Sequence, residues 1–135
     1  MHRAVLVGCG DVSTIHFEAL AAIEGIELVG VCDTDSTALG AAIERTGVPG
    51  YTSVSELLAA TGPDVVHVTT PHDQHVNVSL ECLAAGVNVL QEKPLAHTLS
   101  DAQRLVDYAA RLPESGSSSL SGRPPKIGIC FQNRY

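Results

Sequence analysis

The chain has 135 residues, enough for one domain and too few for two, with 44% hydrophobic and 17% charged side chains. That apolar content can build a core, which excludes a disordered chain. Fifteen acidic residues against eight basic ones give a net charge of −7 without a Lys/Arg cluster, which argues against a nucleic-acid or anionic-membrane surface.

Ala4, Val5, Leu6 and Val7 run apolar into Gly8, the pattern of a strand buried on both faces over 4–7. Over 12–24, Ile15, Ala19, Ala22 and Ile23 recur at helical spacing, and Gly25 supplies the stop. A β-branched, apolar strand follows over 27–32. Asp35 is placed to cap a helix running to Thr46, with Gly47 beyond its end. A short strand is expected at Tyr51. Ser53 and Glu56 have capping-box spacing for a helix that Gly62-Pro63 closes.

The second half repeats the rhythm. A strand is predicted over 65–69, and then a helix over 73–85 with Val76, Leu80, Leu83 and Ala84 on one face and Gly86 at its end. A strand over 87–90 precedes a helix opened by Thr98 and Asp101, with Leu99, Ala102, Val106 and Ala109 on one face. Residues 114–125, rich in Ser, Gly and Pro, read as a surface loop, and 126–131 as a last strand. Six strands alternating with helices predict right-handed crossovers and an α/β fold with a doubly wound parallel sheet, in the order 3-2-1-4-5-6.

The longest apolar runs are four or five residues, short of a membrane span, and the first residues have too brief an apolar stretch for a signal peptide. A cytoplasmic location is the expectation. Cys9, Cys32, Cys82 and Cys130 are widely spaced without a C-x-x-C pair and read as reduced core thiols. Five aromatic residues leave little for a base-stacking platform.

Chemistry concentrates after the strands. Gly8-Cys9-Gly10-Asp11-Val12-Ser13 matches G-x-G-x-x-G at its first two glycines, with Ser13 in the third place. Gly8 suits a tight turn, and Gly10 lets a pyrophosphate approach the backbone at a helix N-terminus, where free N–H groups favour anions. Asp33, 20 residues after Ser13 at the end of strand two, can accept the adenosine ribose hydroxyls or cap the following turn. A carboxylate there repels a 2′-phosphate, and no Arg or Lys follows before Arg45, which favours NAD over NADP. His72 and His75 follow strand four without a carboxylate or thiol partner, a poor metal site, and His75 suits a packed or capping role. His16 and His67 read as helix-face and strand residues without chemistry. Glu92, Lys93 and Pro94 follow strand five; Lys93 can polarise or protonate a substrate oxygen, or simply pair with Glu92 in solvent.

Taken together, the Gly-Cys-Gly turn, Asp33, the run Thr69-Thr70-Pro71-His72-Asp73-Gln74-His75, the run from Gln91 through Lys93-Pro94 to Ala96, and the closing residues 130–135 resemble the Gfo/Idh/MocA family of oxidoreductases, named for glucose–fructose oxidoreductase and inositol dehydrogenase. The resemblance spans essentially the whole chain as one NAD-binding Rossmann domain. It implies that Gly8, Gly10 and Val12, with Asp11 between them, line the pyrophosphate site and that Asp33 meets the adenosine ribose. It implies further that Thr70, Pro71 and His75 border the nucleotide, and that Glu92, Lys93 and Pro94 meet the nicotinamide end. Lys93 would be the catalytic or substrate-orienting lysine, its bond to Pro94 is often cis in the family, and Arg134 would stand near the active site.

Two features depart from the family. His72 stands where many members carry Asn, and the chain stops at Tyr135 where members continue into a substrate domain. The expectation is therefore the cofactor half of a dehydrogenase acting on a sugar, cyclitol or related alcohol. It would be inactive alone and homo-oligomeric as part of its full-length protein. The competing expectation is a non-catalytic NAD-binding or sensing module. A coenzyme A or mononucleotide site fits Asp33 and the Glu-Lys-Pro run less well.

Overall fold

The computed structural model describes residues 1–112 and 124–131. The predicted loop falls outside them except for its last two residues, and Arg134 lies outside them too.

Six parallel strands form one sheet in the order β3-β2-β1-β4-β5-β6. They are β1 (His2–Val7), β2 (Ile26–Cys32), β3 (Gly50–Tyr51), β4 (Val65–Val68), β5 (Asn88–Glu92) and β6 (Ile127–Cys130). The helices are α1 (Ser13–Ala22), α2 (Ser36–Thr46), α3 (Val54–Thr61), α4 (His75–Ala84) and α5 (Leu99–Arg111). This is the doubly wound order expected from the alternation. The strand order reverses between β1 and β4, which opens a crevice at the carboxyl edge there.

β1 is central because both of its faces are apolar. Val5 and Val7 join Leu57, Val66, Val68, Val76, Leu83 and Leu105 on the side covered by α3, α4 and α5. Leu6 packs with Phe17, Val31, Leu39 and Ala42 on the side covered by α1 and α2. Local signals set the helix ends. The Asp35 carboxylate accepts from the Thr37 and Ala38 N–H groups at 2.9 and 2.8 Å, and Gly47 closes α2 at φ 72°. Ser53 caps α3, and Thr98 accepts from the Asp101 N–H at 3.1 Å to start α5.

Three helix faces differ from expectation. In α1 the buried residues are Ser13, His16, Phe17 and Leu20, whereas Ile15 is 63% exposed and Ala19, Ala22 and Ile23 also face solvent. Both stripes fit a helical period, and the polar Ser13 and His16 disguise the one that packs. In α5, Leu105 is fully buried with Tyr108 and Leu112 beside it, while Leu99 is 86% and Val106 51% exposed. α4 buries Val76 and Leu83 as expected but leaves Ala84 exposed, and it starts only at His75 after a 3₁₀ turn over His72–Gln74.

Substituting Leu105→Ala should cost about 2–5 kcal/mol through the cavity it leaves, and Leu99→Ala under about 0.5 kcal/mol. Urea unfolding of the two variants checks the assignment; equal losses would contradict it.

Candidate functional site

The carboxyl edge of the sheet carries four loops whose residues are tied to one another. Gly8 ends β1 at φ 97°, and a Cβ there would stand 2.5 Å from the Thr70 nitrogen and 2.6 Å from the Thr69 carbonyl carbon. Only glycine permits this contact between the loops after β1 and β4. The Thr69 hydroxyl reinforces it by donating to the Gly8 carbonyl. At Gly10, by contrast, a Cβ would meet nothing within 4 Å, so the turn into α1 is open on that side. The Ser13 hydroxyl is buried and donates to the Gly10 carbonyl, holding the turn in place of a third glycine.

Asp33 joins the loops after β1 and β2. Its Oδ2 accepts from the Cys9 N–H at 2.7 Å and its Oδ1 from the Asp35 N–H at 2.8 Å. Each carboxylate oxygen has a second lone pair, so the cap and a ribose contact are compatible. Asp11 and Val12 lie exposed between Gly10 and α1, and Pro71 is exposed beside Thr70. The Thr70 hydroxyl oxygen is buried without a hydrogen-bond partner among the described residues. An orphaned buried hydroxyl beside an open glycine turn suits a polar ligand lying across this edge.

The loop after β5 is braced from below. His75, 1% exposed, has Nδ1 at 2.9 Å from the Pro94 carbonyl and Nε2 at 2.9 Å from the Thr70 carbonyl. Carbonyls only accept, so a neutral ring donates to one of the two, and in either tautomer the ring is wedged between the β4 and β5 loops. His72 meets it only ring to ring, at 5.5 Å between centroids. The buried Gln91 donates to the Pro94 and Leu95 carbonyls at 3.2 and 2.8 Å and accepts from the Ser79 hydroxyl at 2.7 Å. Lys93 is exposed, and its bond to Pro94 is cis. Glu92 pairs with His16, at 3.0 Å from Nε2, and not with the Lys93 ammonium.

His16 and His67, which the sequence offers as residues without chemistry, prove to be linked to the site. Their Nδ1 atoms lie 2.9 Å apart, both rings are buried, and they meet edge to face. The signal was a pair of histidines at core positions of a helix and a strand. Burial, reinforced by the neighbouring His16, pushes His67 down to about 4. The Cys130 sulfur lies within 4.8 Å of the His16 and Glu92 donor atoms. Two of those three donors already share a hydrogen bond. The four cysteines are free, and burial raises Cys9 and Cys82 to about 12 and Cys32 to about 11, so they remain thiols at neutral pH.

Residues 2–115 match the family model of Gfo/Idh/MocA proteins, described as an oxidoreductase family with an NAD-binding Rossmann fold. The chain belongs to this family. It is 35% identical over 110 residues to a D-apiose dehydrogenase of Paraburkholderia graminis, covering 81% of this chain and 29% of that one. It is 30% identical over 119 residues to a glycosyl hydrolase family 109 protein of Shewanella putrefaciens, covering 81% and 26%. Among solved structures, the WlbA dehydrogenase of Chromobacterium violaceum in complex with NADH and UDP-GlcNAcA superposes with a TM-score of 0.84 at 38% identity, covering 98% of this chain and 36% of that one. This Gfo/Idh/MocA chain thus spans between about a quarter and about a third of the length of these relatives. None of the helices among the described residues is long and apolar enough to cross a membrane.

His67 makes a pH prediction. Its pKa in the fold is below the ordinary 6.5, so the unfolded chain binds the proton first on acidification. Its contribution to stability is intact above about pH 6.5 and lost progressively down to about 4, by about 2–3 kcal/mol. Urea unfolding at pH 7 and pH 4 should show a smaller acid loss in His67→Gln than in the native chain. An equal loss would contradict the assignment.

Proposed function

We propose that this chain is the NAD-binding part of an oxidoreductase that transfers a hydride between nicotinamide and a sugar, cyclitol or related alcohol. The observation that carries the reading is the convergence of the Gly8–Val12 turn, Asp33, Thr70-Pro71 and Glu92-Lys93-Pro94 on one edge of the sheet, tied by direct contacts. In it, Gly8, Gly10, Asp11 and Val12 hold the pyrophosphate at the start of α1, and Asp33 accepts the ribose hydroxyls. Thr70, Pro71 and His75 support the nucleotide, His75 through the carbonyls it holds.

When bound, NAD supplies the hydride-accepting nicotinamide C4. Lys93, at the end of β5, assists the proton transfer: as the free amine it takes the proton of the substrate hydroxyl while the carbinol carbon is oxidised, and as the ammonium it returns that proton in the reverse direction. The sugar-like substrate class is supported by the D-apiose dehydrogenase relative and by the UDP-GlcNAcA bound to the WlbA structure. Since the chain spans about a third of such proteins, the remainder of the substrate site falls to chain beyond it.

The preference for NAD over NADP follows from Asp33. The nearest following cation in the sequence, Arg45, is drawn to Glu18 at 3.2 Å and lies against the Phe17 ring. Titration calorimetry should show NAD binding at least about tenfold tighter than NADP, a gap of about 1.4 kcal/mol, and the gap should close in Asp33→Ala. Equal binding of both nucleotides by the native chain would contradict the preference. Binding of neither would overturn the cofactor reading.

A further inference from the structure

The hydrogen bonds around His16 have a direction. The Glu92 carboxylate can only accept, so His16 must carry its hydrogen on Nε2, the atom 3.0 Å from Oε1. Its Nδ1 faces His67 Nδ1 at 2.9 Å, and a His16 that carries its single hydrogen on Nε2 accepts there from His67. With that tautomer the order of donation is His67 to His16 to Glu92. The other carboxylate oxygen, Oε2, accepts the backbone N–H of Lys93 at 3.2 Å. Four residues from α1, β4 and the end of β5 thus form one line that ends on the main chain of the lysine.

Both rings are buried, where an unpaired ring nitrogen is costly, so the contacts along the line matter to one another. Nothing in ordinary core packing requires two histidines here; Leu or Val would fill the same space. We propose that His16 and His67 are positioning residues that orient the Glu92 carboxylate and, through it, fix the backbone of Lys93. The proposal rests on the reading of Lys93 as the proton-transfer residue. His67 orders His16, His16 holds one oxygen of Glu92, and the freed geometry of the second oxygen is set for Lys93.

Nuclear magnetic resonance of this chain tests the line without any turnover. Ring nitrogen spectra at neutral pH should show His16 protonated on Nε2 and His67 on Nδ1. His16→Phe fills the space without a donor and should speed exchange of the Lys93 amide at least about tenfold. His16→Gln places an amide N–H toward Glu92 and should restore slow exchange, a rescue that mere packing would not give. His16 protonated on Nδ1 instead, or a folded His16→Phe variant with unchanged Lys93 exchange, would overturn the proposal. If His16→Phe does not fold, the native tautomers and the His16→Gln variant decide it. Titration of NADH into the native chain is read separately: its failure removes the cofactor reading and leaves the tautomers and amide exchange as they are.

Discussion

The site depends on how closely two backbones approach at the end of the central strands. Gly8, at φ 97°, lies against Thr69 and Thr70 with no room for a Cβ, so the loops after β1 and β4 meet directly. These are the neighbours at which the strand order reverses. Every other tie in the site extends this contact. Asp33 draws the β2 loop to Cys9, and His75 draws the β5 loop to Thr70. Gln91 and Ser79 brace the same loop from within the core. The edge is preorganised by backbone acceptors and buried side chains, which leaves the open side of the Gly10 turn and the exposed Lys93 toward solvent.

Much of this was legible in the sequence because strong local signals agree with the global fold. The alternating order, the Asp35 and Thr98 caps and the Gly47 and Gly62 stops all appear where the residues predict them. The glycine turn, Asp33 and the Glu-Lys-Pro run also fall on one edge, since parallel strands place every such loop on the same side. The faces of α1 and α5 were not legible. Both helices carry two apolar stripes, and period alone cannot say which one meets the sheet; in α1 the buried stripe contains Ser13 and His16. His16 and His67 were missed for a related reason. They lie 51 residues apart, and only the fold brings their Nδ1 atoms to 2.9 Å.

The two buried polar groups have different consequences. The line from His67 through His16 to Glu92 is charged at one end and reaches the lysine. Gln91 is neutral and holds the loop that follows. Lys93 therefore sits between a carboxylate that fixes its N–H and a loop whose carbonyls are held by Gln91 and His75. The Lys93 side chain itself is exposed beyond this braced main chain. Surface apolar residues such as Ile15 and Leu99 play no part in this arrangement and are placed on the outer faces of their helices.

The central claim is that one edge of this sheet binds a dinucleotide across four loops. Mapping amide shifts of the chain on addition of NADH tests it most directly. The account predicts perturbations at 8–13, 33–35, 70–75 and 91–95, with little change at the opposite edge around Gly25, Gly62 and Gly86. Shifts confined to that opposite edge, or none at saturating NADH, would contradict it.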